Sequence, residues 1–242
     1  MPVTSELPDA VLRYADHDEA VVDVHLPSSY PRDGEPLVVL VHGGFWKAEW
    51  DRTHTRPLAR ALAEDGFVVA TPEYRRVGNG GGWPTTCEDV RRALTALPDL
   101  LAAVDVTPGR TTLVGHSAGG HLVLWLAGEG VVDRVVALAP VADLRATAAQ
   151  DLGSGAARAF MGGGPDEVDY DPADPMVLLD RRPVADLVVV HGNRDENVPI
   201  GISRGLVARH PWIRLVELDC GHFELIDPQD AAYRTVRAAV AD

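Results

Sequence analysis

Hydrophobic positions along the chain follow two alternating periods. Continuous apolar, β-branched runs of strand length stand at Leu37–Val41, Phe67–Ala70, Thr112–Val114, Val135–Ala139 and Leu187–Val190. A run with no polar face suits a strand buried on both sides. Val21–Leu26 and the stretch before it alternate and break at acidic residues, which predicts an opening antiparallel hairpin; Ile213–Leu218 alternates as well. Segments of helical period lie between the strands: Pro57–Glu64, Glu88–Leu97 with Val90, Ala93, Leu94 and Leu97 on one stripe, Ala118–Leu126 and Asp230–Val240. Strand and helix taking turns in this way predict an α/β chain, a mostly parallel central sheet with helices on both faces.

One segment breaks the rhythm. Residues 142–186 carry Gly162-Gly163-Gly164-Pro165 and Asp171-Pro172-Ala173-Asp174-Pro175, and no strand run. Long irregular connections are uncommon in compact domains unless they have a use. The expectation is one domain over 1–242, with 142–186 as a small lid or cap over the strand ends. The turn-rich Gly78-Asn79-Gly80-Gly81-Gly82 reads as a flexible rim.

Composition narrows the function classes. With 46% hydrophobic and 24% charged residues the chain has the mix of a folded globular protein. Twenty-two basic against 36 acidic residues give a net charge of −14, which opposes binding to nucleic acid or anionic membranes through bulk charge. The apolar runs are far shorter than the roughly 18 residues a bilayer span needs. Residues 1–6 lack the basic patch and apolar run of a signal peptide, and two cysteines are too few for a disulfide framework. These features point to the cytoplasm. Lysine occurs once, at Lys47, so a Schiff-base mechanism would have to use it, and no Gly-Lys phosphate loop exists. No glycine-rich dinucleotide fingerprint follows any strand run. The sequence sets no oligomeric state; a homodimer is one arrangement open to it.

The run at Thr112–Val114 leads into Gly115-His116-Ser117-Ala118-Gly119-Gly120 and then an apolar helix. This is G-x-S-x-G in the strand–turn–helix setting that its mechanics require. The tight turn forces strained angles on Ser117, and Gly115 and Gly119 supply the space. The turn lifts the hydroxyl to the carboxyl edge of the sheet, and the Ala118 N–H sits at the positive end of the helix. A serine hydroxyl needs a base, and the base needs an orienting acid. Asp195 follows the Leu187–Val190 run and His222 follows Ile213–Leu218, giving the order Ser, acid, His. Glu196 is the rival acid, a loop-stabilising Asp195 the bland alternative, and Cys220 a thiol that would leave Ser117 unexplained.

A second glycine turn, His42-Gly43-Gly44-Phe45-Trp46, closes the Leu37–Val41 run. Glycines there let main-chain N–H groups at Gly44 or Phe45 approach the nucleophile and join Ala118 in an oxyanion hole. Phe45, Trp46, Trp50 and Trp83 are candidates for an aromatic pocket wall, with core packing as the competing role. His116 and His121 flank the serine without metal-ligand spacing, and suit packing or support roles. His17, His25, His54, His191 and His210 read as loop, strand-end or surface residues. No metal or cofactor is expected.

Together with Asp195-Glu196-Asn197-Val198-Pro199 and Gly221-His222-Phe223, the two glycine motifs resemble the α/β-hydrolase superfamily from about Leu37 to Asp227, and more narrowly its esterase/lipase-like branch that includes arylformamidase (kynurenine formamidase). The resemblance implies a catalytic triad of Ser117, Asp195 and His222, an oxyanion hole at Gly44, Phe45 and Ala118, a pocket touching Trp46, Trp83 and His116, and no cofactor. Phe45 replaces the third glycine of the H-G-G-G motif of hormone-sensitive-lipase-like esterases, which favours the formamidase-like branch. The expected activity is cleavage of a small-molecule carboxylic ester or amide through an acyl-enzyme. N-formylkynurenine is an alternative substrate, and a non-catalytic ligand-binding protein on the same fold is the rival class.

Overall fold

The structure is a computed structural model that describes residues 6–28, 34–127, 132 and 134–242. Two short strands, β1 (Ala10–Arg13) and β2 (Val21–His25), form the opening antiparallel hairpin. The sheet continues with β3 (Glu35–Val41), β4 (Val68–Pro72), β5 (Pro108–His116), β6 (Arg134–Leu138), β7 (Asp186–Gly192) and β8 (Arg214–Leu218). These eight strands lie in the order β1-β2-β4-β3-β5-β6-β7-β8, antiparallel from β1 through β4 and parallel onward.

The apolar runs are continuous because each strand feeds two cores. Leu37, Val39 and Val41 of β3 join one buried layer, whereas Val38 and Leu40 join the other. The period of two sends neighbours to opposite faces. Helices α1 (Arg56–Glu64) and α8 (Tyr233–Ala241) cover one face through Leu58, Leu62, Val236 and Val240. Helices α2 (Thr85–Ala102), α3 (Ala118–Leu126) and α7 (Gly201–Arg209) cover the other. Among the described residues no helix is long and apolar enough to cross a membrane.

Two helices depart from the sequence expectation. The α2 helix runs past Pro98 to Ala102, because Leu101 is fully buried and draws the last turn into the core. The α7 helix was not legible, since Gly201 and Gly205 lower helix propensity and only Ile202, Ser203 and Leu206 are buried. The segment 142–186 folds as α4 (Leu144–Ala149), α5 (Leu152–Met161) and α6 (Pro175–Leu178) with connecting turns. It packs through Ala156, Ala157, Phe160 and Tyr170 onto the same core layer as α3, and the Ala173 carbonyl accepts a hydrogen bond from His121 Nε2.

Candidate active site

Strands β3, β5, β7 and β8 run parallel, so the loops that leave them meet at one carboxyl edge, where sites on open α/β sheets gather. Those loops carry the Gly43–Phe45 turn, Ser117, Asp195 and His222.

Ser117 joins β5 to α3 with φ 56° and ψ −116°, a conformation costing a non-glycine residue on the order of 1–3 kcal/mol. The Ser117 N–H donates to the Leu138 carbonyl at 2.8 Å, and its own carbonyl accepts from His121 and Val141, each at 3.1 Å. Close packing explains the glycines. A Cβ on Gly119 would stand 2.1 Å from the Val41 carbonyl oxygen, and one on Gly115 would stand 2.2 Å from that of Gly119.

His222 Nδ1 lies 2.6 Å from Asp195 Oδ2, so the ring N–H donates to the carboxylate. Asp195 Oδ1 accepts from the backbone N–H groups of Asn197 and Val198, each at 2.8 Å. His191 Nε2–H donates to the Val198 carbonyl at 2.9 Å and also lies 3.3 Å from Asp195 Oδ2, while its Nδ1 meets Ser203 Oγ at 2.7 Å. Burial works to raise the Asp195 carboxyl, yet the hydrogen bonds from His191, His222 and Val198 outweigh it and hold it well below the carboxylate range. The carboxylate is therefore ionised wherever the histidine could act. His222 makes no hydrogen bond to Ser117 in this structure, and both line the same cavity. His116 donates from Nε2 to the His222 carbonyl at 3.0 Å and lies against its ring with centroids 4.4 Å apart. Burial, then the neighbouring His222, pushes His116 well below the ordinary histidine range, so it stays neutral.

The Gly43–Phe45 turn reaches the serine from the side of β3. A Cβ on Gly43 would lie 3.0 Å from the Ser117 Cβ, and Gly44 (φ 105°) and Phe45 (φ 49°) take the left-handed region. The N–H groups of Phe45 and Ala118 have no partner among the described residues; Ala118 is the first residue of α3, so its N–H lies at the positive end of that helix.

A cavity of about 150 Å³ opens over Ser117. Gly44, Phe45, Trp50 and His54 line it together with His116, Asn197, His222 and Phe223. Burial, then the His42 ring, pushes His54 down to about 4, so it enters the cavity as a neutral ring. Two of the expected wall residues lie elsewhere. Trp46 is fully buried, stacked on Phe160 at 4.5 Å and edge-on to His121 at 5.2 Å, because φ 55° at Trp46 turns its side chain into the core. Trp83 packs edge-on against Trp125 of α3 at 5.9 Å, outside the cavity. The glycine tract before Trp83 does not line this cavity, and a Cβ on Gly81 would sit 2.1 Å from the Arg75 carbonyl oxygen. Asn197 and Phe223 are lining residues that sequence reasoning passed over, although both neighbour triad candidates in the chain. His54 gave no signal, since it arrives from the loop after Trp50. Residues 142–186 contribute nothing to the lining; a Cβ on Gly153 would meet the ring of the lining residue Phe45 at 2.7 Å. Among the described residues no group of three or more metal-type ligands forms a cluster.

The family model described as BD-FAE matches residues 22–209, from β2 through α7. The chain belongs to the BD-FAE family. Relatives of this BD-FAE chain include neutral cholesterol ester hydrolase 1 of Rattus norvegicus, 35% identical over 118 residues that cover 46% of this chain and 29% of the relative. Kynurenine formamidase of Danio rerio is 32% identical over 120 residues, covering 50% of this chain and 38% of that protein. The BD-FAE chain thus spans well under half the length of either relative. A truncated carbohydrate esterase from gut microbiota superposes with a TM-score of 0.82 at 18% identity, over 98% of this chain and 97% of the other. That likeness shows a shared fold. The BD-FAE chain has the α/β-hydrolase fold, and its named relatives bear out the resemblance to the esterase and formamidase branch.

Proposed function

We propose that this chain is a serine hydrolase that cleaves small carboxylic esters through an acyl-enzyme, with Ser117 as nucleophile, His222 as base and Asp195 as orienting acid. The observation that carries the reading is the buried Asp195–His222 pair opening onto the same small cavity as the strained Ser117.

In this mechanism Asp195 accepts a hydrogen bond from the Nδ1–H of His222, which leaves the Nε2 lone pair free for the hydroxyl proton of Ser117. The serine oxygen then bonds to the substrate carbonyl carbon, and the carbonyl π electrons move to its oxygen. N–H groups of Phe45 or Gly44 and of Ala118 receive that oxyanion. As the carbonyl re-forms, the ester C–O bond breaks and His222 Nε2–H protonates the leaving alkoxide. Water, deprotonated by the same histidine, repeats the addition on the acyl-enzyme and releases the acid.

Size and polarity support the substrate class. A cavity of about 150 Å³ is on the scale that holds a benzene-sized group, so it takes a short acyl chain. A polar, open groove of about 330 Å³ lies beyond, lined by Arg194, Glu196, Asn197, Gly221, His222 and Glu224. His222 and Asn197 border both spaces. A formyl group is the smallest acyl this cavity could take, and with the kynurenine formamidase match that favours arylformamidase as the second reading.

The test is the ratio of kcat/KM for N-formyl-L-kynurenine to that for p-nitrophenyl acetate, with Ser117→Ala as control. Ester turnover that depends on Ser117, with a ratio near zero, is the expected result. A ratio well above one moves the assignment to arylformamidase. Turnover of neither, or turnover that survives Ser117→Ala, overturns the reading.

A further inference from the structure

His42, the first residue after β3, is fully buried and begins the turn that carries the oxyanion N–H groups. Its Nδ1 lies 2.8 Å from the Gly43 carbonyl oxygen and its Nε2 lies 2.8 Å from Glu73 Oε1. Carbonyl and carboxylate oxygens only accept, whereas a neutral imidazole carries one N–H. A neutral ring would set a nitrogen lone pair against an oxygen lone pair at hydrogen-bond distance in the core. The Tyr74 hydroxyl stands 3.4 Å from Nδ1 but gives its proton to the His42 carbonyl at 2.7 Å, and a protonated Glu73 is opposed by its surroundings. Glu73 Oε1 also receives the Tyr74 N–H at 3.0 Å and Arg76 Nη1 at 3.0 Å, while Oε2 receives the Arg52 N–H at 2.9 Å. These donors, none of them from His42, favour the ionised carboxylate.

We propose that His42 is a doubly protonated imidazolium, a buried cation beneath the oxyanion turn that Glu73 holds in that state. Tyr74 lies flat on the ring at 4.3 Å and 10°, the face-on contact that favours a cation, and its hydroxyl donates to the His42 carbonyl at 2.7 Å. The other charged or titratable groups facing the ring are Asp51 and His54, the latter edge-on at 5.6 Å. Arg52 and Arg76 reach it only through Glu73. His42 is a positioning residue: its Nδ1–H pins the Gly43 carbonyl and so fixes the peptide planes of Gly43–Phe45, and its charge favours negative charge developing at their N–H groups. This role rests on the oxyanion assignment above; the protonation state does not.

The test is ¹⁵N-histidine NMR of the full chain at pH 7.5, with the His42 ring assigned through its contacts to Gly43 and Tyr74. Two slowly exchanging ring N–H protons on His42 are expected in the wild type. A single ring N–H overturns the proposal, whatever any variant does. Glu73→Gln is expected to lose one of the two and to lower kcat for p-nitrophenyl acetate on the order of 10–100-fold with KM nearly unchanged; Glu73→Asp is expected to keep both protons and recover part of the rate. A Glu73→Gln protein that loses the proton at full kcat removes the catalytic half of the proposal. Ser117→Ala separates the two readings, since it abolishes turnover if Ser117 is the nucleophile yet leaves both His42 signals in place.

Discussion

His222 Nδ1 stands 2.6 Å from Asp195 Oδ2 with both side chains buried, and His191 and two backbone N–H groups converge on the same carboxylate. A carboxylate with that many donors is pre-oriented, and its negative charge stabilises an imidazolium forming on His222. Asn at this position keeps the size and can still accept from Asn197 and Val198, but it offers the wrong partner to the imidazole. Asp195→Asn is expected to lower kcat by about 10⁴ with the fold unchanged by circular dichroism. A loss of less than tenfold would remove Asp195 from the triad and reopen the case for Glu196.

Trp50 and Trp46, four residues apart, have opposite surroundings: the first lines the cavity with 45% of its surface exposed, the second is fully buried. Trp50→Ala is expected to raise KM for aryl esters several-fold and leave urea stability within about 0.5 kcal/mol. Trp46→Ala is expected to cost about 3–5 kcal/mol of stability through the cavity left beside Phe160 and His121. Steady-state kinetics and urea unfolding of both variants check the pair. Equal effects on KM would place both rings in the pocket.

That contrast marks where sequence reasoning stops. Strand order of chemistry was legible because a G-x-S-x-G turn after an apolar strand can only put its serine at a sheet edge, and later strands had to bring Asp195 and His222 to the same edge. The side on which Trp46 falls was not legible, since it depends on left-handed backbone at Phe45 and Trp46. Non-glycine residues rarely adopt it, and local propensity gives no sign of it. His42 and Glu73 are 31 residues apart, and nothing in either segment announces that β3 and β4 end side by side. Helix α5 was hidden for a related reason: left-handed Gly153, Ser154 and Gly155 interrupt its start, so its buried residues show no clean period.

Asp174 caps α6 and also accepts from the Leu144 N–H, but burial, then the nearby Asp143, pushes its carboxyl up to about 6. Its unfolded value is about 3.9. The folded chain therefore binds more protons than the unfolded one between these values, and this group's contribution to stability falls as pH rises from about 4 to 6. Asp174→Asn keeps both acceptor contacts and removes the titration. The variant is expected to be more stable than wild type by about 1–3 kcal/mol at pH 8, with the difference shrinking towards pH 4. Urea unfolding at the two pH values reads it; a variant less stable at pH 8 would show that the ionised carboxylate is well compensated by Arg145.

His121 works in the opposite direction on the acid side. It is fully buried in α3, its Nε2–H donates to the Ala173 carbonyl at 2.9 Å, and burial pushes it down to about 4. In the unfolded chain a histidine takes up its proton near 6.5. Below that pH the unfolded state binds the extra proton first, so stability present at neutral pH is lost as pH falls from about 6.5 towards 4. For this one group the loss between pH 7 and pH 4.5 is about 2–3 kcal/mol. Gln at position 121 can present an N–H to the same carbonyl without titrating, so His121→Gln is expected to be somewhat less stable than wild type at pH 7 but to lose about 2–3 kcal/mol less on acidification. The readout is the difference in unfolding free energy between the two pH values, wild type against variant, which cancels any packing defect common to both. Parallel pH dependences would mean that the buried imidazole takes up its proton inside the folded chain, and that α3 and the Ala173 turn can separate to let water in.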